Sequence, residues 1–167
     1  MGIAVLRFDF TGLGHSEGEF ANTSFTSNVQ DLVRAVDYLN GRDLAPSLLV
    51  GHSLGGAAVL KATAQLDQIK AVATIGAPFA PEHVTHNFAA ALPEILAQGE
   101  AEVNLGGRPF RIGNGFVEDV AEEVLQSAIA RLNAALLVMH APRDAIVSID
   151  NASQIFLAAK HPKSFVT

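Results

Sequence analysis

Cysteine is absent from the 167 residues of the sequence, and charged residues make up only 17% of it. The lack of cysteine excludes disulfide bonds, thiolate metal sites and a cysteine nucleophile. The formal net charge is −6 at pH 7, so we expect neither nucleic acid nor an anionic membrane surface as a partner. No apolar run reaches the roughly 20 residues that a membrane helix needs, and Met1 opens no recognisable signal peptide. These absences predict a cytoplasmic protein that does not enter a membrane.

Short apolar strands alternate with amphipathic helices along most of the chain. Hydrophobic residues make up 49% of the sequence, which excludes a disordered chain and suits strands buried on both faces. The first helix is bounded by a Ser27–Gln30 capping box and by Gly41. We predict strands over 3–9, 47–50, 71–75, 135–140 and 164–167, and further helices over about 54–66 and 150–160. This alternation predicts an α/β fold with a mainly parallel sheet, helices on both faces, and reactive groups beyond the carboxyl ends of the strands.

A segment at about 79–132 interrupts this alternation. It contains several prolines and glycine pairs, with short helical patterns at 82–91 and 117–131. Such a shift in composition is typical of an insertion over one end of a sheet, and we interpret it as a helical lid that shapes a substrate pocket. We therefore predict a single domain over 1–167 that carries this lid-like insertion.

The sequence Gly51-His52-Ser53-Leu54-Gly55-Gly56 lies between a predicted strand and a predicted helix. It matches the G-x-S-x-G nucleophile elbow in the structural context that this motif requires. A serine on so sharp a turn takes a strained backbone conformation, and the glycines let the strand and the helix approach closely. The turn would expose the Ser53 hydroxyl, and the Leu54 N–H at the positive end of the helix would face a developing oxyanion. The alternative is a glycine-rich turn with an incidental serine.

Asp144 follows the strand predicted over 135–140. A carboxylate at the carboxyl end of a strand can accept a hydrogen bond from an imidazole and hold it in one tautomer. The chain order of serine before acid, with histidine last, is typical of one class of serine hydrolases. The alternative is a solvated loop aspartate.

These motifs make the chain resemble an α/β-hydrolase, and closely the hydrolase half of bacterial proteins fused to an OsmC-type (osmotically inducible) peroxide-reducing domain. The resemblance runs from end to end, and it rests on the elbow at 51–56 and on segments 5–18, 73–78, 137–140, 149–153 and 159–165. It implies Ser53 as nucleophile and Asp144 as acid, with no cofactor and no metal. The implied partners are a small acyl or ester substrate and a fused or separate OsmC-type domain, while the oligomeric state is not predicted.

The same resemblance implies a partial fold, truncated at both ends. The strand at 3–9 corresponds to the fourth strand of the family, and the family's histidine follows the last strand. The catalytic histidine and one oxyanion-hole loop are therefore expected to be missing. Without the family strand that separates them, 3–9 must pair directly with 47–50 or leave backbone groups unpaired. We expect an isolated chain that is marginal, rearranged or dependent on a partner.

Other histidines of the chain are candidates to replace the missing one or to shape the site. His140 ends a strand at the correct edge, but in this fold it is expected to be a turn residue beside the acid. His161 precedes the last strand and is expected at the opposite edge of the sheet. His52 is expected to pack or to shape the pocket, and His15 to lie in a loop or a pocket wall.

The remaining polar residues are interpreted without a catalytic role. His83 and His86 have the i, i+3 spacing of metal ligands, but no third ligand is evident and a solvated pair is expected. Asp9 is interpreted as a loop anchor. Surface positions are expected for Arg108 and Arg111, with contact to an anionic substrate as the alternative, and a solvated helical face for Asp119, Glu122 and Glu123.

A serine hydrolase that forms an acyl-enzyme is the leading functional hypothesis. The alternative is a catalytically silent α/β-hydrolase-like module that binds an acyl or peroxide substrate and delivers it to a fused partner. An acyltransferase, the third hypothesis, would use the same residues.

Overall fold

Six strands run through the residues that the computed structural model describes, which are 2–105 and 107–167. They are β1 (Leu48–His52), β2 (Ala71–Ile75), β3 (Glu100–Leu105), β4 (Arg108–Gly113), β5 (Ala135–Met139) and β6 (Lys163–Val166). The central sheet has the order β1-β2-β5-β6, and every pairing in it is parallel. The carboxyl ends of these four strands therefore share one edge, where α/β folds hold their reactive groups.

Helices occupy the connections between the strands. The α-helices are α1 (Phe25–Asn40), α2 (Leu54–Thr63), α3 (Leu92–Gln98), α4 (Asn114–Glu122), α5 (Gln126–Ala130) and α6 (Asp150–Ala158), and 3-10 helices cover Phe20–Asn22 and Pro81–Ala91. The capping box of α1 is formed by Ser24 and Ser27, whose side chains each accept from the other residue's backbone N–H. The predicted Ser27–Gln30 box was wrong by one turn because the buried stripe of this helix already begins at Phe25.

Helices α1, α2, α5 and α6 pack in succession beside the central sheet, with α2 against β1 and β2 and α6 against β5 and β6. The strands follow one another across the sheet in chain order, so right-handed crossovers carry every connecting helix to the same side. Beneath these helices Leu49, Val72, Leu136 and Val138 are buried. The hydrophobic core therefore lies between this face and its helices.

The opposite face of the central sheet is exposed along β1 and partly exposed along β5. Leu48 and Val50 of β1 are 52% and 57% exposed, while Leu49 between them is buried. The chain has an accessible surface of 9657 Å², whereas a compact monomer of 17.5 kDa presents roughly 7,900 Å². The predicted α/β class, with a mainly parallel sheet flanked by helices, is confirmed. Helices cover one face of the central sheet more than the other, because the described crossover helices all lie on the same face.

Residues 2–10 do not form the strand that we predicted over 3–9. Ile3 and Val5 are 87% and 82% exposed, and the segment pairs with neither β1 nor β6 in the described structure. An apolar, β-branched run becomes a strand only where another strand offers it a hydrogen-bonding edge. Of the two outcomes that we considered for this segment, unpaired backbone is the one observed.

The insertion between β2 and β5 contains a hairpin that sequence reasoning missed. β3 and β4 pair antiparallel from Glu100 opposite Gly113 to Leu105 opposite Arg108, and Ala101, Val103 and Ile112 bury one face of the hairpin. The signal was an alternating apolar run before Gly106-Gly107, a dipeptide that favours two-residue hairpin turns. The helical patterns predicted at 82–91 and 117–131 correspond to the Pro81–Ala91 helix and to α4 with α5.

Two acidic residues of the insertion tie it to the rest of the structure. Asp119 accepts hydrogen bonds from the backbone N–H and the hydroxyl of Thr26, at 2.7 and 2.8 Å. The half-buried Glu123 pairs with the Lys61 ammonium at 2.6 Å. The interpretation of these residues as a solvated face was therefore wrong for both, because Asp119 of α4 binds the N-terminus of α1 and Glu123, just after α4, binds Lys61 of α2.

None of the helices in the described residues is both long enough and apolar enough to cross a lipid bilayer.

Candidate active site

Ser53 forms the turn between β1 and α2 in a backbone conformation that serine rarely adopts. Its φ is 53° and its ψ is −128°, and a non-glycine residue held so costs about 1–3 kcal/mol. The Ser53 N–H donates to the Ile75 carbonyl at the end of β2, at 2.8 Å. The hydroxyl makes no capping bond to α2, so it remains available to a substrate.

Glycines at two positions of this turn are required by close contact. A Cβ on Gly51 would lie 2.3 Å from the Gly55 carbonyl oxygen, and a Cβ on Gly56 would lie 2.6 Å from the Ala77 Cβ. Gly55 has ordinary space, since its nearest neighbour is a Phe10 ring carbon at 3.9 Å. The strand, the turn and α2 therefore meet at a separation that only Gly51 and Gly56 allow.

The N-terminus of α2 begins directly after Ser53. The first N–H groups of a helix have no partner within the helix, and the Leu54 N–H is the first of them. Aligned peptide dipoles add partial positive charge at the same point. The local arrangement can stabilise negative charge that develops beside the Ser53 hydroxyl.

Asp144 lies in the loop after β5, at the same sheet edge as Ser53. Its Oδ1 accepts hydrogen bonds from the N–H groups of Ile146 and Val147, at 2.8 and 3.0 Å. These two bonds, with the Val147 N–H as the larger cause, hold the pKa of the Asp144 carboxyl below its usual value of 3.8. Its Oδ2 lies 3.4 Å from where a Cβ on Gly76 would stand, so the carboxylate adjoins the end of β2 that also holds the Ser53 N–H.

His140 is buried beside Asp144. Its Nε2 lies 2.7 Å from the Val147 carbonyl oxygen and 3.7 Å from Asp144 Oδ2. The imidazole is wholly enclosed, and its Nδ1 has no hydrogen-bond partner in the described structure. An enclosed ring that donates to a loop carbonyl cannot reach a substrate, so the structure gives His140 a place in the acid loop and not that of a replacement base.

The other three histidines that we considered as bases or pocket residues are exposed to solvent. His15 is fully exposed, with its Nδ1 3.7 Å from Asp9 Oδ2. His52 is exposed at the end of β1, and His161 is exposed just before β6. Asp9 accepts from the His15 N–H at 3.1 Å and from the Ser16 hydroxyl at its carbonyl, which confirms it as a loop anchor. Neither His15 nor His52 lines the cavity described next.

A small cavity adjoins Ser53 beneath the Pro81–Ala91 helix. Its polar lining comes from Ser53, His83 and Asn87. Its apolar walls are formed by Leu54, Pro78, Val84 and Val147. A volume of about 10 Å³ is close to the least that holds one water molecule. The insertion therefore covers the hydroxyl of Ser53 closely.

His83 is not part of the solvated pair that we expected. It is half-buried and lines the cavity, while His86 is exposed. Their rings meet edge to face with centroids 4.8 Å apart. Within the described part of the chain, no three His, Asp or Glu side chains converge as a metal site would require. Sequence reasoning named His83 only as half of a solvated pair and did not name Asn87, because the placement of both depends on how the insertion folds back.

Two further residues of the insertion and the sheet edge have identifiable positions. Arg111 pairs with Glu100 across the hairpin at 2.7 Å, which agrees with a surface position, and the side chain of Arg108 lies outside the described structure. Asn151, which sequence reasoning did not single out, is buried, and its Oδ1 accepts from the Phe79 N–H at 2.9 Å. This bond joins the start of α6 to the chain that enters the insertion.

A model of the alpha/beta hydrolase family matches residues 2–160 of the chain. The chain is 30% identical over 166 residues to the mitochondrial palmitoyl-protein thioesterase ABHD10 of Rattus norvegicus, and 26% identical over 168 residues to that of Homo sapiens. The alignments cover 93% of this chain but 53% of the rat protein and 52% of the human protein. The chain thus spans about half the length of the curated relatives it matches.

Solved structures give the same likeness in three dimensions. The esterase domain of a Rhodothermus marinus protein is 44% identical, with a TM-score of 0.72 over 96% of this chain and 61% of that one. Mouse alpha/beta hydrolase domain-containing protein 10 is 26% identical, with a TM-score of 0.71 over 96% and 66%. A Paleococcus ferrophilus monoacylglycerol lipase, 22% identical with a TM-score of 0.73 over 95% and 70%, shares the fold.

Proposed function

The chain belongs to the alpha/beta hydrolase family, and from this premise we propose that it is a serine hydrolase acting on an ester or other acyl substrate. The observation that carries the proposal is Ser53, a serine with positive φ at the sharp turn between β1 and α2. A fold tolerates such strain mainly where function requires it. Asp144 supports the proposal, because its carboxylate lies at the same sheet edge with Oδ2 directed toward the end of β2.

In the proposed reaction the Ser53 oxygen attacks the substrate carbonyl, and a histidine oriented by Asp144, which is not the enclosed His140, accepts the hydroxyl proton. The carbonyl oxygen becomes an oxyanion, which the Leu54 N–H and the α2 dipole stabilise. The tetrahedral intermediate then expels the alcohol or thiol, which takes up the proton from the imidazolium. Water cleaves the resulting acyl-enzyme and regenerates Ser53. The insertion acts as the lid over this site, and no cofactor is assigned.

The names of the relatives favour acyl chemistry. The curated relatives are called palmitoyl-protein thioesterases, and the similar structures include an esterase domain and a monoacylglycerol lipase. All of these names describe cleavage at an acyl carbonyl. We extend that class of reaction, and no particular substrate, to this chain.

Covalent labelling with a fluorophosphonate probe tests the proposal. The probe phosphonylates an activated serine, and activation requires a base that the structure does not assign to His140. The full-length protein is therefore labelled, and we expect one adduct, mapped to Ser53 by peptide mass spectrometry. Ser53→Ala should abolish the adduct. Ser127→Ala is the matched control, because Ser127 is an exposed helical serine in α5, and it should leave labelling unchanged. A full-length protein that stays unlabelled and has a native circular dichroism spectrum would contradict the proposal.

That contrary result would favour the second candidate, a catalytically silent binding module. The observation in its favour is His140, the histidine beside Asp144, which is enclosed and bonded to the Val147 carbonyl. A carboxylate whose neighbouring imidazole faces the loop cannot by itself activate Ser53. An acyltransferase would label like the hydrolase, and it is separated from it by products formed with a competing alcohol or amine.

An OsmC-type partner domain and a cytoplasmic location stay predictions, as does a single domain over 1–167. The partner rests on the sequence resemblance alone. The curated relatives are named as mitochondrial proteins, a location that belongs to those proteins.

A further inference from the structure

The cavity beside Ser53 has one side that the proposed acyl transfer does not use. His83 and Asn87 project to it from the Pro81–Ala91 helix, four positions apart. In the described structure neither side chain forms a hydrogen bond within the protein. His83 is half-buried and Asn87 is exposed, so their donors and acceptors are free to bond water or a ligand beside the nucleophile position.

The chemistry of the two side chains suits an uncharged polar group. A neutral imidazole offers one donor and one acceptor, and a carboxamide offers two donors and an acceptor. Both can therefore bond a hydroxyl group as donor or as acceptor. A ligand group with negative charge is disfavoured at this position, because Asp144 lies at the same edge and the chain has a net charge of −6.

The rest of the cavity limits the size of what can bind. Pro78, Val84 and Val147 wall it closely, leaving about 10 Å³. A long unsubstituted acyl chain would need these walls to separate by several methylene widths. A short acyl group would need only a small shift of the covering helix.

We propose that His83 and Asn87 form a recognition subsite for a hydroxyl group carried by a short-chain acyl substrate, an inference that rests on the hydrolase function proposed above. The imidazole and the carboxamide bond the hydroxyl, and the apolar walls enclose two or three carbons once the Pro81–Ala91 helix shifts outward. His86 supports the His83 ring through their edge-to-face contact. The subsite favours hydroxyacyl esters over unsubstituted esters of equal length and over long-chain esters.

Binding of uncleavable analogues tests this subsite without any turnover. The 167-residue chain, labelled with ¹⁵N-histidine, is titrated by NMR with 3-hydroxybutyramide and with butyramide, which differ by one hydroxyl. We expect the hydroxyamide to bind about tenfold more tightly, as one or two added hydrogen bonds allow, and to shift the His83 ring resonances. His83→Leu and Asn87→Leu should each remove most of this preference. His161→Leu, an exposed histidine at the other edge, should keep it.

His83→Gln is the conservative variant and should restore part of the preference, because its amide keeps a donor and an acceptor. Circular dichroism of every variant verifies folding. Equal affinity for the two amides in the unsubstituted chain, or a preference that survives both leucine variants, would overturn the subsite.

Fluorophosphonate labelling of the full-length protein, titrated with the same two amides, separates this inference from the proposed function. Labelled Ser53 without hydroxyamide preference would refute the subsite and leave the hydrolase intact. Hydroxyamide preference without labelling would refute the hydrolase and leave a hydroxyacyl-binding cavity.

Discussion

At the scale of single residues, the backbone of Ser53 and the carboxylate of Asp144 carry most of the physical information about the site. Ser53 has a φ of 53°, which L-residues reach only with strain and glycine reaches freely. One carboxylate oxygen of Asp144 accepts hydrogen bonds from two backbone N–H groups, and the other is left to bind a partner. Both features lead to measurable effects on stability.

Two substitutions of Ser53 isolate the backbone strain. Ser53→Ala and Ser53→Gly both remove the hydroxyl, so neither chain should be labelled by the phosphonate probe. Ser53→Gly also relieves the strain, which exceeds the added entropy of the unfolded chain. We expect its free energy of unfolding to be higher than that of Ser53→Ala by about 1 kcal/mol, measured by urea denaturation. An alanine variant of equal or greater stability would show that the turn is unstrained.

The lowered pKa of Asp144 makes part of the stability depend on pH. Its folded pKa lies below the unfolded value, so its contribution is complete above the unfolded pKa near 4 and is lost as the pH falls through the lower folded value. Asp144→Asn should cost roughly 1 kcal/mol at pH 7, and the deficit should shrink at pH 3 and below. Urea denaturation at several pH values measures it. Asp67→Asn, at an exposed position, is the control and should leave the curve unchanged.

At the scale of elements, α2 is positioned by small residues where it passes β1 and the end of β2. Gly51 and Gly56 have no room for a side chain, whereas Gly55 has. The three glycines belong to one sequence motif, but the structure distinguishes them by their neighbours. Their steric roles therefore differ although the motif treats them alike.

Alanine substitutions at Gly55 and Gly56 form a matched pair within one helical turn. Gly56→Ala forces its Cβ against Ala77 and should lower the free energy of unfolding by about 1–3 kcal/mol. Gly55→Ala makes only an ordinary contact with the Phe10 ring and should raise the free energy of unfolding by up to about 1 kcal/mol, the helix propensity difference. Thermal denaturation followed by circular dichroism measures both. A neutral Gly56→Ala would mean that α2 shifts to accommodate the methyl group.

Elements with their own periodic pattern were predictable from the sequence, and those that depend on distant partners were not. The elbow between β1 and α2, the strands β2 and β5, and α6 with the Asp144 loop before it were recognisable because their signals are local. The strand predicted at 3–9 failed because no other strand pairs with it. The position of His83 depends on how the whole insertion packs, which no local pattern encodes.

At the scale of the whole molecule, the exposed sheet face and the unpaired edge of β1 are the surfaces that most favour self-association. Leu48 and Val50 present apolar surface beside unpaired backbone groups of β1, the kind of edge that associates with other strands. Ile3 and Val5 add apolar surface at the unpaired N-terminal segment. The molecule as described should therefore associate at micromolar concentration.

A charge placed on this face should oppose the association. We expect Val50→Lys to shift the chain toward monomer in sedimentation velocity at equal concentration, because a buried ammonium in a sheet contact is costly. Leu157→Lys is the control, since Leu157 of α6 is equally apolar and also exposed but lies away from the sheet face. If both lysines acted alike, the change in net charge would be responsible and not the sheet.

A sheet wetted on one side has a calorimetric signature. Unfolding raises the heat capacity in proportion to the apolar surface that water newly reaches, and a fully covered domain of 167 residues would gain roughly 2.0–2.5 kcal/mol/K. In this chain several side chains of one sheet face, among them Leu48 and Val50, already contact water when folded, so they add little to that increment. The monomeric Val50→Lys chain should fall clearly below the range in differential scanning calorimetry, with a correspondingly flat dependence of stability on temperature. A heat-capacity increment within this range would mean that the exposed sheet face is covered in solution.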